Sequence, residues 1–248
     1  MGNARGVCIV CGESPTVKSH LFPRALMLDM RGDAKALYEG SRHRPGYKEQ
    51  QNGPWDDRFL CKIHEDQAGV GDDYAVDFCR SLDAGKYVPF GPVFQIRNPD
   101  PAKLLAFIYG TVWRHAVAPV NAALRLELGP YEQRLRAALF EGGPMNLQAV
   151  VGLSTLGDER GKPVRIGLAP YRQKFGDFST WHFIIGRLDV HLKTDQKSFP
   201  AEWTPYLANG ADPVVLHAVE PTDIATVPFL RSITDNIRAG PPRPGRRR

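Results

Sequence analysis

Two short pairs of metal-ligand residues constrain this chain more than any other sequence feature. Cys8 and Cys11 are separated by two residues, and Cys61 and His64 repeat that gap farther along the chain. Each pair can come from one tight turn, and thiolate and imidazole are ligands that zinc prefers. The first pair is also too closely spaced for an ordinary structural disulfide. The pattern predicts a tetrahedral zinc site formed by Cys8, Cys11, Cys61 and His64; the other interpretation is four unrelated buried side chains.

Other histidines leave one alternative open. A rival zinc shell would use His20 or His43 in place of His64, and sequence spacing alone does not exclude it. His64 is preferred because it repeats the two-residue gap, whereas His43 lies between two arginines and is expected on a solvated basic loop. Cys79 falls in a predicted helix and is expected to be a buried core residue, a common role of free cysteine.

The first part of the chain, residues 1–98, has frequent Gly and Pro and only short helical periodicity. Such a segment has little core of its own, and a bound metal substitutes for it by adding on the order of 10 kcal/mol of folding free energy. We expect a knuckle at residues 8–12 and a short strand ending near His20. A loop opened by Pro23 and a helix after His64 follow. The apolar positions of that helix are Tyr74, Ala75, Phe78 and Leu82.

Longer regular elements are predicted beyond a stretch rich in Pro and Gly at residues 89–101, which marks the expected boundary. The predicted helices cover residues 102–117, 131–140 and 228–238. The predicted strands cover residues 149–153, 164–169, 181–192 and 214–219. We therefore expect an α+β fold with a zinc-bound module at residues 1–90, a mixed domain of helices and antiparallel sheet at 100–240, and a basic tail at 241–248.

Composition and charge exclude some classes of protein. The chain has 248 residues, 42% of them hydrophobic, and a net charge of +5 that is compatible with a nucleic-acid partner. No apolar run approaches the ~18 residues of a membrane helix and no secretory signal is evident, so a cytoplasmic protein without membrane contact is expected. The lack of a Gly-rich phosphate loop and of a Gly-x-Ser-x-Gly elbow disfavours nucleotide hydrolases, NAD enzymes and α/β-hydrolases.

Three motifs occur in a characteristic order in the first third of the chain. They are Cys8-x-x-Cys11, then Ser19-His20-Leu21-Phe22-Pro23, then Leu60-Cys61-x-x-His64-Glu65. In this order they resemble the HNH-type endonucleases, whose zinc-bearing members have a treble-clef ββα-metal fold. The middle motif also resembles a subset of uncharacterised bacterial and phage-associated HNH-like proteins. The resemblance implies a treble-clef fold for the N-terminal module.

The resemblance also implies catalytic roles. His20 takes the position of the histidine that acts as general base and activates water against the phosphodiester bond. A second metal, Mg²⁺ or Mn²⁺, would offset charge at the scissile phosphate, and Glu65 falls where the family places a histidine ligand for it. Asp57 or Asp56 would orient His20 or bind that metal, unless both are solvated loop carboxylates. Ser19 replaces the acid that often precedes the base, and the family's central asparagine has no clear counterpart.

Two functions follow from these motifs. The first is a metal-dependent endonuclease with a structural zinc, acting on DNA rather than RNA, with His20, Glu65 and Asp57 as catalytic residues and a homodimer as one expected assembly. The second is a non-catalytic zinc-finger module that binds nucleic acid or a protein partner, which would explain the missing acid and the missing helix histidine. The nuclease is preferred because His20 and Pro23 have no evident purpose in a purely structural knuckle.

Two basic features outside the motifs each have two interpretations. Arg114 or His115, near the end of a predicted helix, could face a phosphate. We prefer the alternative, in which Trp113 lies in the core and Arg114 lies at the helix C-terminus, where the helix dipole favours cations. The arginines of the tail 241–248 either bind a nucleic-acid backbone or form a disordered solubilising tail.

Overall fold

The structure is a computed structural model. It describes residues 6–41, 44–85, 88–90, 93–124, 126–154, 156–158, 160, 164–175, 177–210, 212, 214–218, 222–223 and 227–240. The predicted basic loop at His43 and the predicted tail at 241–248 lie outside these residues.

Short strands, one short helix and one long helix form the N-terminal part. They are β1 (Ser19–His20), α1 (Arg24–Arg31), β2 (Leu37–Ser41), β3 (Arg44–Gln50), β4 (Trp55–Asp56) and α2 (Lys62–Asp83). β1 and β4 pair in antiparallel fashion, with Ser19 opposite Asp56 and His20 opposite Trp55. β2 and β3 form a second antiparallel pair. The long helix α2 therefore follows directly after the strand that pairs with the His20 strand.

The segment after Pro23 is helical, so the loop predicted there is wrong. The Pro23 carbonyl accepts a hydrogen bond from the backbone N–H of Met27 at 3.1 Å. Leu26 and Met27 are buried and belong to the main hydrophobic core. Proline is tolerated at the start of a helix, and burial of this apolar face stabilises α1.

A seven-stranded sheet and three helices dominate the C-terminal part. The sheet strands are β5 (Val88–Phe90), β6 (Val93–Ile96), β7 (Ala149–Leu153), β9 (Ile166–Phe175), β10 (Phe178–Gly186), β11 (Leu188–Lys193) and β12 (Val214–Ala218). Outside this sheet are the short strands β8 (Leu156–Gly157) and β13 (Thr222–Asp223), and the helices are α3 (Pro101–Val117), α4 (Pro130–Phe140) and α5 (Pro228–Arg238). The order across the sheet is β5-β6-β12-β7-β11-β10-β9.

The predicted α+β class is confirmed, with two corrections to the sheet. β12 and β7 run parallel, so the sheet is not wholly antiparallel. The single strand predicted at 181–192 is wrong, because the chain reverses after Gly186 and forms the hairpin of β10 and β11. Gly186 has φ of 60°, a left-handed conformation that glycine adopts without steric cost. Among the described residues, no helix has the length and apolar character needed to cross a membrane.

One hydrophobic core includes residues from both predicted parts of the chain. Phe22, next to the His20 strand, lies 6.3 Å from Phe183 of the large sheet, measured between ring centroids. The Pro- and Gly-rich stretch expected to be a boundary contributes β5 and β6 to the sheet edge. The division at residues 90–100 remains a prediction from the sequence.

Helix α2 packs closely against α3. A Cβ atom added to Gly71 would lie 2.5 Å from the backbone nitrogen of Phe107, so the absence of a side chain permits this approach. The Tyr74 hydroxyl accepts a hydrogen bond from the backbone N–H of Asp100, the residue before α3, at 2.8 Å. These contacts fix the position of α2, and therefore of the residues in its first turn.

Candidate metal centre and the adjoining polar cluster

The first pair of the predicted zinc ligands lies on a tight turn. The backbone N–H of Gly12 donates to the Cys8 carbonyl at 2.8 Å, and Gly12 has φ of 78°, where glycine is favoured. Thr16 then pairs with Cys61 in an isolated antiparallel bridge. This bridge brings the turn beside the residue that precedes α2.

The second pair of ligands lies at the start of α2. Cys61 is the residue before the first turn of the helix, and His64 lies within that turn. The His64 ring packs edge-on against Phe140 of α4, with centroids 5.3 Å apart. Arg136 of α4 donates a hydrogen bond to the Val10 carbonyl at 3.0 Å, which ties the cysteine turn to the same helix. The pairs are therefore held on one side of α4.

The structure brings all four predicted zinc ligands together. His64 Nδ1 lies 3.5 Å from Cys8 Sγ and 3.2 Å from Cys61 Sγ, and the sulfurs of Cys11 and Cys61 are 3.9 Å apart. All of the ligand atoms lie within 4.8 Å of one another. Tetrahedral zinc with ordinary bond lengths separates its ligand atoms by about 3.5–3.8 Å. The cluster can hold a metal ion, and its geometry is compatible with zinc.

Neighbouring groups change the acidity of the two cysteines on the turn. Burial raises the pKa of Cys8, but backbone N–H groups, including those of Cys11 and Cys61, outweigh burial and lower it to about 6. For Cys11, the lowering effect of the Glu13 backbone is outweighed by desolvation and by the nearby sulfurs, so its pKa is raised. Thiolates repel when they lie this close, and a bound cation removes that repulsion.

A second polar cluster lies next to the metal centre. It consists of Ser19 and His20 on β1 and Glu65 in the first turn of α2. Within the described part of the chain, Ser19 Oγ, His20 Nε2 and Glu65 Oε2 are buried and have no hydrogen-bond partner. Buried polar atoms usually have a partner, and those without one can mark a site for water, an ion or a ligand. Glu65, the residue after the candidate ligand His64, thus lies against the Ser19 hydroxyl and the backbone N–H of His20.

Burial and nearby cations keep His20 neutral. Burial is the largest cause, and the positive charges of Lys18, Arg24 and Arg114 act in the same direction. Together they lower the pKa of His20 to about 4. At neutral pH the imidazole is therefore uncharged and able to accept a proton.

Burial has the opposite effect on Glu65, since it raises the pKa of this carboxyl. The Ser19 hydroxyl, the Arg114 charge and the His20 backbone N–H oppose the shift without reversing it. The hydroxyl lies close enough to influence Glu65 but makes no hydrogen bond of ordinary geometry with it. A cation beside this carboxylate would favour its ionised form.

The two candidate aspartates have different environments. Asp56 is buried and its carboxylate accepts hydrogen bonds from Arg58 and from the backbone N–H of Val120, so it joins β4 to the segment after α3. The backbone carbonyl of Asp57 accepts a hydrogen bond from the Thr16 hydroxyl. Among the described residues, Asp57 does not join His20 and Glu65 in a three-ligand group. The roles predicted for His20, Glu65 and Asp57 remain predictions.

Arg114 is a buried charged residue close to this cluster, and its ion pair with Asp72 was not predicted from the sequence. Its guanidinium is 1% exposed and forms two hydrogen bonds with the Asp72 carboxylate, of 2.7 and 2.6 Å. Trp113 lies in the core, as preferred, and Arg114 is in the last turn of α3. The Trp113-Arg114-His115 sequence was a signal for Arg114, but nothing in the sequence identified Asp72 as its partner.

Comparison with known proteins adds no relative to this description, since no protein-family model, no curated protein and no solved structure matches the chain. The HNH-type resemblance therefore depends on the sequence motifs.

Proposed function

We propose that the chain is a metal-dependent endonuclease of HNH type that hydrolyses phosphodiester bonds in DNA. The observation that carries the proposal is that the Glu65 carboxylate, at the start of α2, lies against the backbone N–H of His20 on β1, while His20 Nε2 and Glu65 Oε2 are both buried without a hydrogen-bond partner. Zinc at Cys8, Cys11, Cys61 and His64 would hold this cluster in place, because Glu65 directly follows a zinc ligand.

The order of elements supports a treble-clef ββα arrangement for this part. A cysteine turn precedes β1, β1 pairs with β4, and α2 starts with the second pair of ligands. A structural zinc shell of three thiolates and one imidazole is a common type. Its donor set fits the four residues present.

His20 is suited to take a proton from an attacking water. It is neutral above pH 4, and the cations that lower its pKa would also attract a phosphodiester. A bound phosphate would offset those charges and move the pKa of His20 toward its ordinary value of ~6.5. The imidazole would then be a stronger base when substrate is present than when it is absent.

Glu65 is the residue best placed to bind Mg²⁺ or Mn²⁺, with Asp57 as the other predicted ligand. Carboxylate oxygens are preferred by these ions, which often retain several water ligands. The ion would supply charge stabilisation at the phosphate and the leaving oxygen. Arg114 and Asp72 would act as positioning residues, since they pair with each other close to the cluster.

Two observations favour the second candidate, a zinc-finger module that binds nucleic acid or a protein without catalysis. Asp56 is committed to structural contacts, and His20, Glu65 and Asp57 do not form a three-ligand group among the described residues. Under this alternative, the basic groups near His20 would bind phosphate and no bond would be cleaved.

A nicking assay separates the two candidates. Purified wild-type chain, His20→Ala and Glu65→Gln would be incubated with supercoiled DNA and Mg²⁺ or Mn²⁺, after zinc content is shown to be equal. Asp66→Asn is the matched control, because Asp66 lies in the same turn of α2 but is exposed and pairs with Lys62. Cleavage by wild type and Asp66→Asn, with at least a hundredfold loss in the other two variants, is expected. DNA binding without metal-dependent cleavage by the wild type would contradict the nuclease.

A further inference from the structure

A second group of metal-ligand residues lies on the β10–β11 hairpin, far in sequence from the cysteine cluster. His182 on β10 is the direct cross-strand partner of His191 on β11. Asp189 is two positions before His191 on the same strand, so both side chains lie on one face of the sheet. The hairpin therefore places two imidazoles and one carboxylate side by side.

The three side chains converge on one point. Asp189 Oδ1 lies 2.7 Å from His182 Nε2 and 3.3 Å from His191 Nε2. All three ligand atoms lie within 4.8 Å of one another. Two imidazole nitrogens and a carboxylate oxygen are a common ligand set for divalent first-row metals.

A hydroxyl group also lies beside the Nδ1 atom of each imidazole and orients the ring. The Tyr171 hydroxyl lies 2.7 Å from His182 Nδ1, and the Thr180 hydroxyl lies 3.2 Å from His191 Nδ1. In metal sites, a histidine that coordinates through one nitrogen usually donates the other N–H to an oxygen. A hydroxyl can accept or donate, so the same pair of hydroxyls supports either tautomer of each ring.

The surroundings leave the ligands partly accessible. The side chains of His182, Asp189 and His191 are 9%, 16% and 13% exposed. Phe175 and Trp203 each pack edge-on against the His191 ring, with centroids 5.4 Å away. The group therefore has an apolar wall and a limited opening to solvent.

We propose that His182, Asp189 and His191 form a second divalent-metal site. The site would bind Zn²⁺ or a similar ion that prefers imidazole ligands. Three protein ligands leave at least one coordination position for water or a small ligand. The two rings are stacked, with centroids 4.2 Å apart and planes 13° from parallel. Binding must therefore turn the rings so that both Nε2 lone pairs meet the ion.

Cobalt uptake by the full chain tests this site without reference to nuclease activity. The cysteine cluster is first filled with one equivalent of zinc, and Co²⁺ is then added while its ligand-field absorption is recorded. The expected result is uptake of one further ion per chain, with no thiolate-to-cobalt charge-transfer band. That band would report displacement of zinc from cysteine and would contradict a separate site if it were the only signal.

Variants of the hairpin identify the ligands. Asp189→Asn should weaken Co²⁺ binding at least tenfold, and Tyr171→Phe, which retains the ring and removes only the orienting hydroxyl, should weaken it roughly 10- to 100-fold. Asp177→Asn is the matched control, because Asp177 lies between β9 and β10 with an 83% exposed side chain. No second ion in the folded wild type, or equal affinity in wild type and both hairpin variants, would overturn the proposal.

Discussion

The cysteine cluster and the hairpin cluster differ in what holds their ligands together when no metal is bound. The first joins segments that are distant in sequence, with Cys8 and His64 56 positions apart. The second lies on one hairpin, whose strands are paired along their backbones from the Thr180–Lys193 pair to the Ile185–Leu188 pair. In the hairpin, the Asp189 carboxylate is hydrogen-bonded to His182 and lies 3.3 Å from His191 Nε2, whereas the cysteine cluster brings together groups that repel when ionised.

This difference indicates separate roles for the two clusters. A metal that joins remote segments contributes folding free energy directly, because the unfolded chain has no preformed site. A metal on a hairpin that is already paired would add a local function and change the fold little. Removing ligands, charges or protons from each region should therefore affect stability and metal binding to different extents in the two clusters.

The largest effect is expected from Cys61→Ser. Loss of this ligand should remove zinc and lower the free energy of unfolding by several kcal/mol, on the order of the contribution of structural zinc in small modules. Zinc analysis and urea unfolding provide the measurements. Cys79→Ala is the matched control, since Cys79 is buried in α2 away from the cluster and should cost only about 1 kcal/mol with zinc retained. Equal losses of stability in Cys61→Ser and Cys79→Ala would contradict a stabilising zinc at the cysteine cluster.

A smaller effect is expected from Arg114→Met. This change leaves the Asp72 carboxylate without its buried partner and should lower stability by about 3 kcal/mol while zinc content is unchanged. A double variant, Arg114→Met with Asp72→Leu, should recover much of the loss because no unpaired charge remains. Urea unfolding of the wild type, Arg114→Met, Asp72→Leu and the double variant gives the coupling free energy between Arg114 and Asp72. Loss of zinc in Arg114→Met would instead show that this ion pair, rather than the metal, positions the start of α2.

The next largest loss of stability is expected at low pH, from His115. This ring is 1% exposed, packs against Phe22 and lies beside the Thr111 carbonyl. Burial is the main cause that lowers the pKa of His115 from 6.5 to about 3. Below pH 6.5 the unfolded chain therefore takes up a proton that the folded chain does not, and stability falls as pH falls. The expected contribution is about 2 kcal/mol between pH 7 and pH 5.

His115→Phe removes this titration and retains an aromatic ring of similar size. The difference in unfolding free energy between wild type and His115→Phe, measured by urea unfolding from pH 7 to pH 5, isolates the contribution of this residue. The wild type should lose more stability than the variant over that interval. Parallel curves would show that His115 is not the neutral, buried imidazole that the structure describes.

The smallest effect is expected from Asp189→Asn in metal-free buffer. Asparagine retains a carbonyl oxygen that can accept from the histidines, and the hairpin keeps its backbone ladder. The expected loss is about 1 kcal/mol by thermal or urea unfolding. A loss as large as that of Cys61→Ser would show that the hairpin cluster also carries the fold.

The sequence predicted the features that depend on local spacing. The cluster of three cysteines and one histidine was predicted because each pair recurs with the same gap, and the helices near residues 102–117, 131–140 and 228–238 agree closely with α3, α4 and α5. The wrong strand at 181–192 has a different cause. A single glycine, Gly186, reverses an apolar run that otherwise satisfies the pattern of one long strand.

Features that depend on long-range contacts were not predictable from spacing. Arg114 and Asp72 are 42 positions apart, and neither residue type indicates a buried pair by itself. The hairpin cluster was missed because His182 and His191 become neighbours only when β10 and β11 pair in the observed register. His20 and Glu65 were selected through a motif resemblance, and their roles in catalysis remain proposals.

X-ray absorption at the zinc edge, on the whole chain with one zinc bound, tests whether the cysteine cluster binds that zinc. The expected result is a shell of three sulfur atoms at about 2.3 Å and one nitrogen at about 2.0 Å, as expected for Cys8, Cys11, Cys61 and His64. Cys11→Ser should then reduce the sulfur contribution. A shell of nitrogen and oxygen alone would contradict zinc binding by this cluster, because it would place the bound zinc away from the cysteines.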